Sequence, residues 1–367
     1  MRAPRGHMVP TPAAPTLREL SSRQIMENVS ATLPLAQADA PLPAARRDIL
    51  PLLLVPAVAL AVLPFVSLPA WVTLTVAGLA MGMMMFIMAS GLTLVFGLMS
   101  VLNFGHGAFV SVGAYAATLV LVPMRGWLEL DSLAANLGVL ALAVTVAMLV
   151  TALLGWMFER VIIMPVYGQH LKQILITMGG MIVSEQLITV VWGAEQIALP
   201  LPAALRGAIF LGDAAVEKYR LLAVVVGLVV FAVLFLTLNR TRIGLLIRAG
   251  VENGEMVEAM GYRIRRLFVA VFAAGSALAG LGGTMWGLYK ETLVAHMGSE
   301  VMVMVFIVII IGGLGSVGGC FIGALLMALV ANYAGYLAPK FALVSNIVLM
   351  IAILLWRPAG LYAKGRN

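Results

Sequence analysis

Charge is what this sequence has least of. Of its 367 residues, 11% are Asp, Glu, Lys or Arg, where a soluble domain carries about a quarter. So little charge cannot cover a water-facing surface, which excludes an ordinary soluble protein and leaves lipid as the solvent for most of the chain. Cysteine is nearly absent: Cys320 stands alone, so neither an internal disulfide nor a Cys-rich metal site can form. The phosphate-cradling G-x-x-x-x-G-K-[ST] loop is missing, and no Gly-Lys pair occurs anywhere. Any nucleotide hydrolysis therefore belongs to another subunit. H-E-x-x-H and Ser/His/Asp arrangements are missing too, so no catalytic residue, metal site or cofactor is expected. What fills the chain instead is apolar: 62% of residues, for a mean hydropathy of +1.05.

The net charge of +7 does not point to nucleic acid, because the basic residues flank apolar runs instead of forming an aromatic-interleaved patch. That placement is expected of topology determinants. Residues 1–48, rich in Pro, Ala, Ser and Thr with scattered charges, read as a disordered cytoplasmic tail and lack the apolar stretch of a secretory signal. From residue 49 to 367 the chain reads as a transmembrane domain. Apolar runs near 49–68, 72–96, 104–122, 136–158, 173–192, 220–238, 267–287, 300–312, 319–336 and 343–356 make an all-α polytopic membrane protein of about ten segments. A span needs ~20 residues, and Val301–Ile311 offers 11. Its helix either starts earlier, near Thr292, or 300–336 is re-entrant. Counting from Arg46 onward, thirteen basic residues fall on one side of this map and six on the other. The richer side is the cytoplasm by the positive-inside rule, and both termini lie there.

Three stretches carry further information. The cytoplasmic loop 239–266 holds six arginines and, among them, Glu252, Glu255 and Glu258. Val251–Met260 can form a short helix stopped by Gly261, a residue suited to the left-handed C-cap. An ordinary positive-inside loop would explain the arginines but not an acidic helix with a glycine stop. A second stretch runs from Ser90 to Phe109, where Gly97, Asn103, Gly105 and Gly107 interrupt an apolar helix. Broken helices at membrane depth persist when buried in protein or lining a watery path, and their freed backbone groups often form transport sites. Asn103, Phe104, Gly105, His106 and Gly107 are thus candidates for a translocation path, with Asn103 as a helix cap the competing reading. The third stretch, Gly312–Gly319, contains a literal G-x-G-x-x-G. Without a preceding strand or a following acidic residue it reads as a close-packed turn, not a dinucleotide site. Gly78/Gly82, Gly283/Gly287, Gly315/Gly319 and Gly319/Gly323 have the spacing that lets helix backbones approach closely. Glu185 is the one acidic residue well inside an apolar run. It lines a path, hydrogen-bonds another helix or stays protonated.

These same stretches resemble the branched-chain amino acid permease family of ABC importers. Arg248-Ala249 with Glu252-Asn253, Glu255-Met256, Glu258-Ala259 and Gly261 is similar to that family's coupling loop. Glu258-Ala259-Met260 runs directly into Gly261, without the three-residue spacer of the wider importer motif, and Val257 replaces a small residue. Ser90–Gly97 with Leu102–Phe109 resembles the family's most distinctive segment, and Gly312–Gly319 with Trp356-Arg357-Pro358-Ala359-Gly360-Leu361 its C-terminal signature. The resemblance implies an ABC importer permease fold in the bacterial inner membrane. It also implies that Arg248, Glu252, Asn253, Glu255, Glu258, Ala259 and Gly261 couple the chain to an ATPase. The partners it implies are a second related permease, two cytoplasmic ATPases and an extracytoplasmic substrate-binding protein. Near relatives carry urea, short amides or aromatic acids, so those solutes are the alternative cargo. A stand-alone secondary transporter or channel is the more distant alternative.

Overall fold

The computed structural model describes residues 49–99, 101–252 and 254–362. The tail 1–48 and Asn253 lie outside the described residues. Ten helices build the bundle: α1 (Leu50–Ala61), α2 (Leu68–Met99), α3 (His106–Leu121), α4 (Leu133–Phe158), α5 (His170–Trp192), α6 (Lys218–Arg240), then, after two short helices α7 (Arg242–Glu252) and α8 (Gly254–Ala259), α9 (Ile264–Lys290), α10 (Met297–Gly312), α11 (Val317–Leu337) and α12 (Ala342–Trp356). Six of these, α2, α4, α5, α6, α9 and α11, are long and apolar enough to cross a membrane; the segments around α1, α3, α10 and α12 are apolar but shorter. Among the described residues the architecture is all-α apart from two two-stranded antiparallel ribbons. One pairs β1 (Ile197–Ala198) with β4 (Thr292–Leu293), and the other pairs β2 (Ala208–Leu211) with β3 (Ala214–Glu217).

Helix α2 sits at the centre because it is apolar on every side. From Met83 to Leu92 its side chains are all buried. It packs against α6, α9 and α11, while α9 also packs on α3 and α4. The outer helices α5 and α6 expose Leu187, Val190, Val229 and Phe235, the surface a bilayer would cover. Small residues set the closest crossings. Gly91 of α2 meets Gly275 of α9 so tightly that a Cβ on Gly275 would lie 2.7 Å from the Gly91 carbonyl oxygen. Gly78 and Gly82 lie against Leu329 and Leu325 of α11, as their spacing suggested.

The connections divide between two ends of the bundle. At one end, Trp71 Nε1–H donates to Ala59 O at 2.7 Å, Thr73 donates to Ala215 O at 3.2 Å, and β1 pairs with β4. At the other, Gly250 lies beside Leu98, and Leu361 N–H donates to Ile311 O at 2.9 Å. The second end carries α7, α8 and most of the basic residues.

Two sequence expectations change. Of the two readings of this region, a helix from near Thr292 or a re-entrant 300–336, the first is corrected at its start: the helix begins at Met297, because Thr292–Leu293 is engaged as strand β4. It then turns through Gly313–Ser316 into α11, with Gly312 against Gly319 and Val308 against Gly323, so the two helices run antiparallel. In the 239–266 loop, an additional helix, α7, precedes the short acidic one. Thr241 starts it: its hydroxyl accepts the Gly244 N–H at 3.3 Å, an N-cap at the third helical residue.

Candidate functional site

The break between α2 and α3 lies inside the bundle, not beyond its end. The Nε2 of His106 is 2.9 Å from the carbonyl oxygen of Met88. Met88 is eleven residues back along α2 from its end at Met99, about 16 Å of helix. The connecting residues must therefore double back through the interior, which a helix cannot do in so few residues, and 101–103 are non-helical. Phe104 N–H donates to Thr177 Oγ1 of α5 at 3.3 Å. Its ring lies 4.8 Å from that of Phe306 on α10. Asn103 is fully buried, and neither its amide nitrogen nor its amide oxygen has a hydrogen-bond partner. It does not cap α3: Gly105 is the N-cap residue, without a side-chain bond. What Asn103 supplies is its backbone oxygen, to the His106 N–H at 3.2 Å. A buried amide left unpaired costs about 1–3 kcal/mol, so this side chain stands where folding alone would favour an apolar one.

The start of α10 meets the start of α3. A Cβ on Gly107 would lie 2.7 Å from the Gly298 oxygen. Ser111 Oγ accepts the Gly298 N–H at 2.8 Å and donates to Ala295 O at 3.2 Å. From this point α3 runs towards the β-ribbon end, where Trp192 Nε1–H donates to Thr118 Oγ1 at 3.3 Å. Helix α10 runs the opposite way, towards the arginine-rich end. Two helix N-termini, each with a partial positive charge, thus share one level of the interior. Sequence reading found Gly107 but missed Gly298 and Ser111. The short apolar run at 301–311 was the available signal.

Glu185 belongs to this level by register. Helix α5 runs alongside α3 with Met181 against Gly107 and Trp192 bonded to Thr118. Both pairs have the same offset, which puts Glu185 level with Ser111. Its Oε1 is buried without a hydrogen-bond partner, so this oxygen makes no bond to another helix.

At the arginine-rich end, α8 closes in a Schellman motif. Gly261, at φ 87°, donates its N–H to Glu258 O at 2.8 Å, and Tyr262 N–H reaches Val257 O at 3.2 Å. These are the two reverse bonds that satisfy the last carbonyls of a helix. Val257 is buried and anchors the turn, while Met256, Met260 and Tyr262 are exposed beside Glu258 and Ala259. The Val where a small residue was expected is therefore an anchor. Arg248 Nε donates to Gly244 O at 3.4 Å within α7. Glu252 and Glu255 lie in α7 and α8. Next to the turn is a cavity of about 630 Å³ lined by Trp156, Glu159, Arg160, Glu258, Tyr262, Arg263, Arg265 and Arg266, among others.

Residues 74–356 match the family described as "Branched-chain amino acid transport system / permease component". Curated relatives agree. The chain is 24% identical to the high-affinity branched-chain amino acid transport system permease protein LivH of Escherichia coli K12. That similarity covers 78% of this chain and 94% of the relative. It is 27% identical, with the same coverages, to the corresponding protein BraD of Pseudomonas aeruginosa. A shorter similarity, 29% over 142 residues, covers 35% of this chain and 41% of a probable branched-chain amino acid transport permease protein LivM of Methanocaldococcus jannaschii. No solved structure matches the chain.

Proposed function

The chain belongs to the family of permease components of branched-chain amino acid transport systems, and we propose that its interior break is the passage and its α8 turn the coupling element of such a permease. The protein is the membrane-spanning permease subunit of an ABC importer for branched-chain amino acids. It is not itself an enzyme. One observation carries the proposed passage: two helix starts meet, with unpaired buried polar atoms of Asn103 and Glu185 along the same stretch, where a continuous apolar span would be more stable. A branched-chain amino acid needs what that place offers. Its carboxylate is favoured at helix N-termini, here those at Gly107 and Gly298, and its ammonium next to a carboxylate, here Glu185. The Asn103 amide and His106 solvate it along the way. Its aliphatic part slides over the Met and Leu surfaces of α2.

The finer assembly is part of the same reading. Ten segments cross the cell's inner membrane, with the arginine-rich end, both termini and the tail 1–48 in the cytoplasm; the thirteen-to-six basic asymmetry supports this. The coupling residues of this loop, Arg248, Glu252, Asn253, Glu255, Glu258, Ala259 and Gly261, dock on an ATPase. The likeness to a second permease type, LivM, supports pairing with a related subunit. Two ATPases and a substrate-binding protein complete the machine. The test is uptake of labelled leucine by proteoliposomes containing the whole complex. Isoleucine and valine should compete, and urea and short amides should not. ATP-independent uptake by this chain alone, or competition by urea and not valine, would overturn the reading.

A further inference from the structure

The geometry points to a binding site for the phosphate headgroup of an anionic phospholipid in the cavity between the end of α4 and the start of α9. Arg160, Arg263, Arg265 and Arg266 line it, against two carboxylates, Glu159 and Glu258. Among the described residues none of these arginines forms a close ion pair, although Arg265 and Arg160 act through space on Glu159; the close pairs are Arg125–Glu129, Arg220–Glu217 and His296–Glu300. Four arginines and two carboxylates line a space of about 630 Å³, an excess of two positive charges in the lining that suits an anion, since guanidinium matches phosphate oxygens in a bidentate way.

Lipid, not a free anion, is the source that the surroundings favour. Arg160 lies over the ring of Trp156 at 5.8 Å, and Trp156 is itself exposed. An aromatic and a cation paired in this way mark the level of the headgroups. From there Met157, Leu153 and Leu149 are exposed at four-residue spacing along α4, so one face of the helix gives acyl chains an apolar strip leading away from the cavity. Basic pockets between membrane helices at the cytoplasmic surface are suited to anionic headgroups. The inference rests on the proposed placement of this end at the cytoplasmic surface, and it stands apart from the passage. A lipid seated here would brace the α8 turn, because Glu258 and Tyr262 line the same cavity.

Trp156 supplies the probe. The intact complex in detergent is titrated with brominated phosphatidylglycerol or brominated phosphatidylcholine, and tryptophan quenching is read. Trp156→Phe identifies the part due to this site. Phosphatidylglycerol should quench at much lower concentration than phosphatidylcholine. Arg265→Gln with Arg266→Gln should raise the half-saturating concentration about thirtyfold, roughly fivefold per arginine. The double lysine variant should retain most of the binding, and Arg206→Gln at the opposite end should change nothing. Equal quenching by both lipids would refute the site. Displacement of the lipid by millimolar inorganic phosphate would assign the cavity to a free anion and overturn the lipid. Unchanged quenching in the glutamine variant, with loss of the ATPase from the complex, would make it a protein-docking surface instead.

Discussion

Replacing Asn103 with leucine sets stability against transport in a single substitution. The side chain is fully buried and both of its amide atoms are unpaired, a burden of about 1–3 kcal/mol on the fold. Leucine removes that cost. It adds some crowding, because a Cβ built on Gly105 would already lie 3.1 Å from Asn103 Oδ1, and overpacking of this kind costs on the order of 1 kcal/mol. The balance is a complex as stable as the original or more stable by about 1–2 kcal/mol, a thermal midpoint unchanged or raised by a few degrees. Transport should move the other way. A hydrogen bond from a passing charged solute contributes about 1.5–3 kcal/mol, so labelled leucine uptake should fall at least about tenfold. Both quantities are read from one preparation, by thermal unfolding of the purified complex and by uptake after reconstitution. A lowered midpoint would show that the amide holds the break together. Normal uptake at an unchanged midpoint would remove Asn103 from the passage.

Three further outcomes are expected. At Gly261 a Cβ would meet nothing within 4 Å, so alanine costs only the left-handed strain of about 1–2 kcal/mol and asparagine less. Proline also removes the N–H bonded to Glu258 O. ATP hydrolysis stimulated by loaded binding protein should therefore fall in the order Asn, Ala, Pro, and full stimulation in the proline variant would exclude the turn from coupling. Glu185→Gln keeps the shape and removes the charge, so the leucine concentration for half-maximal uptake should rise about tenfold, as expected for ~1.4 kcal/mol of lost attraction. An unchanged value would leave this carboxylate without a part in binding. Reporter fusions at Lys364 and within 194–218 should report opposite sides of the membrane; finding both on one side overturns the topology.

Much of this protein follows from local rules that act on neighbouring residues. Scarce charge and long apolar runs make it a membrane bundle. The helix stop at Gly261 follows because only glycine takes a φ of 87° without strain. The interruption after Met99 is visible in Asn103, Gly105 and Gly107, which weaken a helix wherever they occur. The extra helix α7 was legible only as arginines, since its cap at Thr241 looks like any threonine near a chain bend. What tertiary structure decided is where separate stretches meet. Gly107 and Gly298 lie 191 residues apart, and nothing local to either says that their backbones touch. Asn103 could have capped α3 by its spacing alone; the path doubling back along α2 put Gly105 in that position and left the amide unpaired. Glu185 reaches the level of Ser111 because α5 packs alongside α3 with a constant offset. The arginines surround one cavity because α4 ends where α9 begins. Periodicity and steric preference act over a few residues and are written in the sequence, whereas the level at which two helices cross is set by close packing of the whole bundle.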